Sequence, residues 1–549
     1  MGATKRMFSD SSRNRSRTNL RPVLFVLAAS VALFAAFPAA AQDGFGFDDE
    51  SATAEAPDTG QGAGLLSGVS VGGKVVFDTT AFFAAGVSAA GDTAADTPLS
   101  GLPTGRLDFK AQGASVDAVL KLRINESILK DSPASMLDEA SVRIYLGKVD
   151  LEGGLLKRSW GKADNEGPLD VLNPYDRTDL TLTEILDRKI AQPMLSATLA
   201  LGPLSKVEAV FLPGFEGHRI ADSGPWAPLA LTSQKANVYN QFYYGANPSA
   251  NGGMGNGLYA SYYSAAWASV YSATFAQVAQ NPSLSTTVVS ASAAAQANAT
   301  VSAQTSAIAA QAAEAANGKV VDLLDYPETD TLEYAQGGLR YTTSFGGADF
   351  GLQYFYGFLP TPVANADPLA FAANGYRVPI SFNRYHQAGV DLATVLLGLN
   401  LRAELAANVT EDLEGDDPLV TNPAIAWALG FDVDLFAGIS LNVQGSGSLR
   451  LLDDKVGTAA FDVEDGTDAL KSRVLGTLMQ KLFKETVEWK MTAVYDVQDG
   501  GLLLNPTLAF IVGDARLEAK AGWFTGGKDS ELGQFADSSY GRVSLSYAF

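Results

Sequence analysis

The feature that most constrains this chain is a strand pattern, repeated along its length, in which apolar and polar side chains alternate. In residues 515–523, Leu517 and Ala519 lie on one face of an extended chain, while Glu518 and Lys520 lie on the other. Alternation with a period of two is typical of a β-strand with one apolar face. The pattern predicts an all-β fold, and the segments have the ~9–11 residues that a tilted strand needs to cross a bilayer.

About eighteen segments carry this pattern. They begin near residues 70, 105, 114, 138, 149, 194, 204, 333, 348, 386, 397, 424, 438, 470, 486, 502, 515 and 540. The segment near residue 470 alternates poorly, and the first segment contains Gly72 and Gly73, which have no side chain to pack. An even total of 16 or 18 strands is expected.

The connections between these segments alternate between short and long. Every second connection is a tight turn, mostly marked by glycine, at Gly113, Gly147–Lys148, Gly202–Pro203, Gly346–Gly347, Leu397–Gly398, Ala437–Gly438, Lys484–Glu485 and Gly513–Asp514. Most of the others are long, at 84–104, 159–193, 214–332, 359–384, 410–423, 453–469 and 526–539. A transmembrane antiparallel β-barrel has short turns at one end and long loops at the other. A β-sandwich gives no reason for this arrangement, and a propeller would repeat every ~40–50 residues.

The amino-terminal residues have the pattern of an export signal. A basic stretch is followed by the apolar run Val23–Phe37, and Ala39 and Ala41 supply the small residues of a cleavage site. The run is shorter than the ~20 residues of a spanning helix, which favours cleavage over an uncleaved anchor. Translation could also begin at Met7. The expected organisation is a signal peptide at 1–41, an acidic, disordered segment at 42–69 and the barrel at 70–549.

The last segment ends on an aromatic residue. Val543, Leu545, Tyr547 and Phe549 share one face, and small or polar residues occupy the other. This ending resembles the carboxy-terminal signature of Gram-negative outer-membrane β-barrels, in which the barrel-assembly machinery reads the last strand. The resemblance implies the outer membrane of a Gram-negative-type bacterium, with outer-membrane lipid, the assembly machinery and periplasmic chaperones as partners. A homo-oligomer is compatible with this class.

A second resemblance lies in residues 159–179, SWGKADNEGPLDVLNPYDRTD. The segment is similar to a Trp-Gly…Asn-Pro-x-Asp loop in a poorly characterised group of porin-like outer-membrane proteins. The matching positions are Trp160, Gly161, Asp170, Asn173, Pro174 and Asp176. Asn-Pro and Asp-containing turns fix a compact loop, and Trp160 suits a membrane interface. We expect these residues to pack the loop, with contact to a ligand as the alternative.

The polar faces of the strands carry charges of both signs. The residues expected to line a pore are Arg106, Lys121, Arg123, Arg143, Arg340, Arg402, Glu404, Arg450, Glu488, Lys490, Arg516, Glu518 and Lys520. Buried charges need water or mutual pairing, and 16–18 strands enclose enough space for an aqueous channel. We predict a porin-like channel for passive diffusion of small hydrophilic solutes, with a weak preference for anions. A paired ladder of charges that only stabilises the wall is the alternative.

The connection 214–332 is far longer than an ordinary loop. Its later part, Val288–Gly318, is rich in alanine and lacks proline, which favours one or two helices. Such a loop can fold into the barrel as a constriction or stand outside as a cap. Porins commonly fold one long loop inward, so the resemblance favours the constriction.

Other functional classes receive little support. The net charge of −21 disfavours nucleic acid as a partner. The two histidines, His218 and His386, are not spaced for nucleophilic catalysis, and no metal-ligand motif is present. We therefore predict neither an enzyme nor a cofactor. The acidic clusters at 411–417 and 462–468 are interpreted as solvated loops, with binding of divalent cations as the alternative. A transporter for a hydrophobic substrate and a surface adhesin or structural barrel are the alternative functions.

Overall fold

The computed structural model describes residues 68–83, 103–125, 128–129, 133–182, 184–246 and 256–549. Within these ranges, eighteen antiparallel strands form one sheet. The strands are β1 (Gly68–Phe82), β2 (Thr104–Gln112), β3 (Val116–Ile124), β4 (Leu137–Leu146), β5 (Val149–Leu156), β6 (Gln192–Ala200), β7 (Ser205–Leu212), β8 (Gln336–Phe345), β9 (Ala348–Phe358), β10 (Arg384–Leu396), β11 (Leu399–Thr410), β12 (Ala424–Asp434), β13 (Ile439–Arg450), β14 (Leu470–Leu482), β15 (Val487–Asp496), β16 (Leu502–Val512), β17 (Ala515–Thr525) and β18 (Tyr540–Ala548).

The sheet is a closed barrel, because each strand pairs with the next and β18 also pairs with β1. The closing register runs from Lys74 opposite Ala548 to Phe82 opposite Tyr540. Closure removes the unpaired strand edges that an apolar environment does not tolerate. The prediction of an antiparallel barrel of 16–18 strands is confirmed, with 18 strands, and each strand begins within three residues of its expected position.

The two ends of the barrel differ in their connections. Tight turns join the strands at one end, and β1 begins and β18 ends there. Several of these turns need a residue with positive φ, such as Gly147 (φ 75°) and Gly346 (φ 63°). The long connections lie at the other end, which is called the loop end from here on.

The two faces of the sheet differ in polarity. On the outer face, large apolar side chains stand exposed around the barrel; Leu405, for example, is 50 % exposed. The residues of the expected assembly signal lie on this face and are each about half exposed: Val543, Leu545, Tyr547 and Phe549. An apolar surface of this extent is not stable in water. The barrel therefore spans a membrane, with its outer face against lipid.

Both segments that depart from ideal alternation form complete strands. In β14 the inner face carries Leu475 and Met479, and pairing with β13 and β15 on either side holds the strand in place. In β1, Gly73 faces the ring of Phe549. A Cβ atom at Gly73 would lie 2.6 Å from that ring and from the carbonyl oxygen of Arg106. Glycine is thus required where the last residue closes the barrel.

The described chain divides into two compact units. The first contains all eighteen barrel strands and comprises the described residues up to 227, residues 327–363 and residues 381–549. The second comprises the described residues of 228–326 and residues 364–380. Helix α1 (Ile185–Arg188) belongs to the first unit. Helices α2 (Leu229–Ala246), α3 (Asn256–Val278), α4 (Thr286–Val321) and α5 (Pro368–Ala373) form the second. The expectation of a long, partly helical connection is confirmed. On α4, Ala293, Ala297 and Val301 are fully buried, and the helix packs against α2 and α3.

Short elements complete the described chain. They are the 3₁₀ helices Pro133–Met136, Leu332–Tyr334, Phe436–Gly438, Asp453–Lys455 and Gly533–Ser538, and the strands Asp176–Arg177, Arg219–Ile220, Leu324–Asp325, Val363–Ala364 and Val378–Ser381. No helix within the described ranges is both long and apolar enough to cross a membrane. The expected signal peptide, and the expected disordered segment up to residue 67, lie outside the described residues.

Candidate channel lumen

Residues 157–191, which connect β5 to β6, run through the interior of the barrel and are called the lumen loop. They contact inward side chains of β2, β11 and β17. On β17, for example, the Lys520 ammonium donates a hydrogen bond to the carbonyl of Thr181 at 2.5 Å. These strands lie in different sectors of a closed ring. One loop can reach all of them only from inside, so this loop occupies the lumen.

The carboxylate of Glu404 on β11 is enclosed by the backbone of the lumen loop. Its Oε1 accepts hydrogen bonds from the N–H groups of Lys162 and Ala163, the latter at 2.7 Å, and Oε2 accepts one from Leu169 at 3.3 Å. Gly161 has a φ of +95°, and a Cβ atom there would lie 2.3 Å from Oε1. Only glycine lets the backbone wrap the carboxylate this closely.

The tip of the same turn is bound to the wall by Asp164. Its Oδ2 accepts hydrogen bonds from Arg402 and Asn442, both at 2.7 Å. The side-chain oxygen of Gln444 on β13 accepts from the backbone N–H groups of Asp164 and Asn165, at 3.0 and 3.3 Å. Both the side chain and the backbone of the turn are thus bonded to the wall.

Buried amides on β9 and β10 hold the next part of the loop. Gln353 donates to the carbonyl of Leu169 at 3.0 Å and to Gln387 at 2.9 Å, and Gln387 donates to the preceding loop carbonyl at 2.9 Å. Behind them, Arg340 donates to Gln353 at 2.5 Å and forms an ion pair with Asp391 at 2.6 Å. All four wall side chains are buried. They form a bonded network shielded from water, which favours one fixed loop position.

Asn173 closes the neck of the lumen loop. Its Oδ1 accepts from the N–H of Arg158 at 2.7 Å, and its Nδ2 donates to the carbonyls of Leu156 and Ile190 at 2.8 and 2.9 Å. The carbonyl of the next residue, Pro174, accepts from the N–H of Ile190 at 2.8 Å. The Asn-Pro pair thereby joins the entering and leaving ends of the loop.

A buried ion pair stiffens the neck further. The Lys189 ammonium lies 2.7 Å from Asp170 and donates to Ser159 at 2.6 Å, and the Tyr175 hydroxyl donates to Asp170 at 2.5 Å. The Lys189 side chain has no exposed surface. A buried ion pair is stable only when its remaining polar atoms are bonded, as they are in this cluster. The arrangement favours a packing role for these motif residues over contact with a ligand.

Residues 213–227 form a second segment inside the barrel. At their start, the carbonyl of Gly214 accepts from Gln336 of β8 at 3.3 Å. In the middle, the strand Arg219–Ile220 pairs in parallel with Asp176–Arg177 of the lumen loop. At their end, Trp226 packs against aromatic rings from β1, β17 and β18. The segment therefore crosses the lumen at the loop end, because the strand residues it contacts lie at that end, and it is attached to the lumen loop on the way.

His218 links the two interior segments. The imidazole Nδ1 accepts a hydrogen bond from the backbone N–H of Tyr175 at 2.9 Å, and the backbone N–H of His218 donates to the carbonyl of Pro360 at 2.7 Å. Burial, together with the positive charge of Arg177, lowers the pKa of His218 to about 3. The imidazole is therefore neutral near pH 7, and Nδ1 remains an acceptor.

All thirteen residues expected to line a pore lie on the inner face of the sheet. Six contact the lumen loop: Arg106, Arg123, Arg402, Glu404, Lys490 and Lys520. Five form ion pairs along the wall: Lys121, Arg143, Glu488, Arg516 and Glu518. Two are buried in ion pairs: Arg340 and Arg450. Much of the inner charge is thus bound to the loop or paired.

Trp160 does not lie at the membrane interface, contrary to one expectation. It is 4 % exposed on the inner side of the wall, where its Nε1 donates to Glu208 at 3.1 Å and its ring meets the edge of Phe355. Gly338 leaves room beneath the indole. The buried carboxylate satisfies the indole N–H, so the side chain packs inward. At the end of the motif, Asp176 accepts two hydrogen bonds from Thr178 and shapes a turn.

Neutral amides that position the loop were not among the predicted residues: Gln353, Gln387, Asn442 and Gln444. Alternation alone places them on the inner face, and that signal could have identified them. The connection 214–332 was expected to form a constriction or a cap. Residues 214–227 at its start lie beside the lumen loop, and residues 228–326 belong to the helical unit. The position of residues 157–191 inside the barrel was not predicted.

The acidic clusters act as turn formers. Asp412 accepts hydrogen bonds from the backbone N–H groups of Glu414, Gly415 and Asp417 at 2.8–3.3 Å. Although burial would raise the pKa of Asp412, these bonds lower it. Asp462 caps a similar turn. Within the described residues, no group of three or more His, Asp or Glu side chains is placed to hold a metal ion.

The barrel has the architecture of the outer-membrane type: an even number of antiparallel strands, tight turns at one end, long loops at the other and an apolar exterior. No protein-family model and no curated protein matches the chain. Solved structures with a similar course of the chain include OccAB4 of Acinetobacter baumannii (9 % identity, TM-score 0.40, covering 88 % of this chain and 97 % of that chain). A second is OpdK of Pseudomonas aeruginosa with vanillate (9 % identity, TM-score 0.42, covering 88 % of this chain and 100 % of that chain). A third is the outer membrane channel DcaP of Acinetobacter baumannii (8 % identity, TM-score 0.35, covering 88 % of this chain and 97 % of that chain). Identities and scores this low transfer no function to this chain.

Proposed function

We propose that this chain is an outer-membrane channel for passive diffusion of small hydrophilic solutes, narrowed by the lumen loop. The observation that carries the proposal is the contrast between an apolar outer face and an inner face with charges of both signs. Charged side chains need water or partners, and a barrel of this many strands encloses more space than its own side chains fill. A path for a hydrophobic substrate would need an apolar inner surface, which these strands do not offer.

A weak preference for anions is proposed from Lys490 on β15 and Lys520 on β17. Lys520 donates to the carbonyl of Thr181, which carries no net charge, and Arg542 directly opposite it forms an ion pair with Asp78 at 2.6 Å. Lys490 is 3.7 Å from Glu184, a distant pair. A positive local potential at this wall attracts anions.

The test is ion current through the refolded chain in a planar bilayer with a salt gradient. We expect discrete current steps and a reversal potential displaced toward anion selectivity. Lys520→Gln should reduce that displacement, whereas Lys148→Gln, which removes the same charge at a tight turn outside the lumen, should not. A folded and inserted barrel that passes no current overturns the channel proposal and favours a transporter or an adhesin. Equal reversal potentials in all three proteins overturn the assignment of selectivity to Lys520.

A further inference from the structure

The outer face of the barrel carries one ionisable patch. Among the outward positions of the eighteen described strands, Arg384 and His386 are the only Asp, Glu, Lys, Arg or His side chains. They lie two residues apart on β10, opposite Phe358 and Tyr356 of β9. Charged side chains on a lipid face destabilise a barrel except near the interfaces, so this pair on one strand needs a physical reason.

Aromatic rings hold both side chains in place. The guanidinium carbon of Arg384 lies 4.1 Å from the ring centroid of Phe358 and 4.9 Å from that of Tyr356. The His386 ring lies 4.7 Å from Tyr356, and its Nδ1 is 2.7 Å from the Tyr354 hydroxyl. Tyr356 thus lies close to both a guanidinium and an imidazole. Arg384, His386, Tyr354 and Tyr356 are called the rim patch.

The rim patch lies at the level of lipid headgroups at the loop end. Arg384 is the first residue of β10, which runs to Leu396 before a tight turn at the opposite end. At ~3.3 Å per residue the strand is about 40 Å long, and a tilt of about 40° makes it span about 30 Å across the membrane. Tyrosine is common at the level of the headgroups. His386 lies two residues further along β10 than Arg384 and is still at that level.

We propose that the rim patch binds the phosphate group of a lipid in the outer leaflet. One N–H of Arg384 donates to the backbone carbonyl of Glu333 at 2.6 Å, which fixes the guanidinium and leaves its other donors for an anion. A guanidinium matches phosphate geometry with two parallel hydrogen bonds. His386 and the Tyr356 hydroxyl supply further polar contacts, and the flanking outer face packs against the acyl chains.

The confinement of the basic side chains to one strand distinguishes this patch from general anchoring. Anchoring at an interface uses aromatic and basic residues distributed around a barrel. On this barrel the aromatic side chains are distributed, and the basic ones are not. The chemistry of the patch is independent of the proposed channel. The assignment to the outer leaflet rests on the proposed function, because it requires the loop end to face outward.

Native mass spectrometry of the full chain in detergent tests the inference, with phosphatidic acid as the lipid phosphate and phosphatidylcholine as the reference. Wild type should retain phosphatidic acid preferentially. In the double variant Arg384→Gln, His386→Gln, the preference for phosphatidic acid over phosphatidylcholine should fall about tenfold, because at least one charge-assisted hydrogen bond is lost. Lys471→Gln, which removes a charge at the same end but on the inner face, is the matched control and should behave as wild type.

Equal preference in wild type and the double variant overturns the rim patch as the binding site, and so does an equal loss in Lys471→Gln. Displacement of the lipid by excess inorganic phosphate would assign the patch to free phosphate and overturn the lipid. Current through the same preparations reports separately on the channel. A conducting double variant shows that it folds, and a silent wild type that still retains phosphatidic acid contradicts the channel alone.

Discussion

Removing the carboxylate of Glu404 should release the lumen loop. In Glu404→Ala, three backbone N–H groups lose their acceptor. Bonds to a charged group contribute about 1.5–3 kcal/mol each. Water can reach part of the released turn, so we expect the closed position of the loop to lose about 3–5 kcal/mol. Glu404→Gln keeps one acceptor oxygen and should cost about 1–3 kcal/mol.

Two assays report on the loop directly. In single-channel recordings, Glu404→Ala should show frequent excursions to higher conductance, and Glu404→Gln should show fewer. Trypsin should cleave after Lys162 in the alanine variant, whereas in wild type the N–H of that residue is bonded within the lumen. Glu518→Gln, whose carboxylate binds only Arg516 of its own strand, is the matched control and should resemble wild type. If Glu404→Ala shows the same current noise as wild type and Lys162 stays fully protected from trypsin, then Glu404 does not hold the lumen loop in place.

Three further predictions concern the outer face, the neck and the link between the segments. Ala519→Arg, near the middle of the outer face of β17, should lower the free energy of unfolding by ~2–4 kcal/mol, measured by urea unfolding from vesicles. Glu518→Gln, on the inner face, should leave it unchanged, and equal losses of unfolding free energy would mean that the two faces are assigned wrongly. Asn173→Ala removes three buried hydrogen bonds and should cost about 2–4 kcal/mol of unfolding free energy. Asn173→Asp should cost at least as much, because its second carboxylate oxygen would face the carbonyls of Leu156 and Ile190. His218 has its pKa lowered in the folded chain, so its contribution to stability is complete above pH ~6.5 and is lost as the pH falls toward 3. Channel noise should therefore rise with acidification in wild type and change less in His218→Gln; parallel pH profiles contradict the role of this histidine.

The strands were predictable from the sequence because the information that forms them is local. A strand with lipid on one side and polar groups on the other must alternate, and glycine between two such strands favours a tight turn, as at Gly147 and Gly346. Even β14, with Leu475 and Met479 on its inner face, takes a place that the alternation of short and long connections already requires. The total of 18 strands needed the structure, since the closing pair of β1 and β18 depends on Gly73 beneath the ring of Phe549.

The interior of the barrel was less predictable because its contacts join distant parts of the chain. The Trp-Gly…Asn-Pro-x-Asp segment indicates a compact loop, and Asn173 has that role. Nothing in the segment identifies Glu404 as the acceptor for Ala163, which lies 241 positions away. The amides of Gln353 and Gln444 carry no charge, so a search for charged residues passes over them. The length of 214–332 indicated a constriction or a cap, and residues 228–326 belong to a helical unit of their own.

The central claim is that the lumen loop sets the width of a water-filled channel. The direct measurement is the single-channel conductance of wild type beside a variant in which residues 184–188 are replaced by glycine and serine. This change removes α1 and the ion pair that joins Asp187 of the lumen loop to Arg106 of the wall. The account predicts discrete steps in wild type and clearly larger steps in the variant. Equal conductance in the two proteins, or no current in either folded barrel, would contradict it.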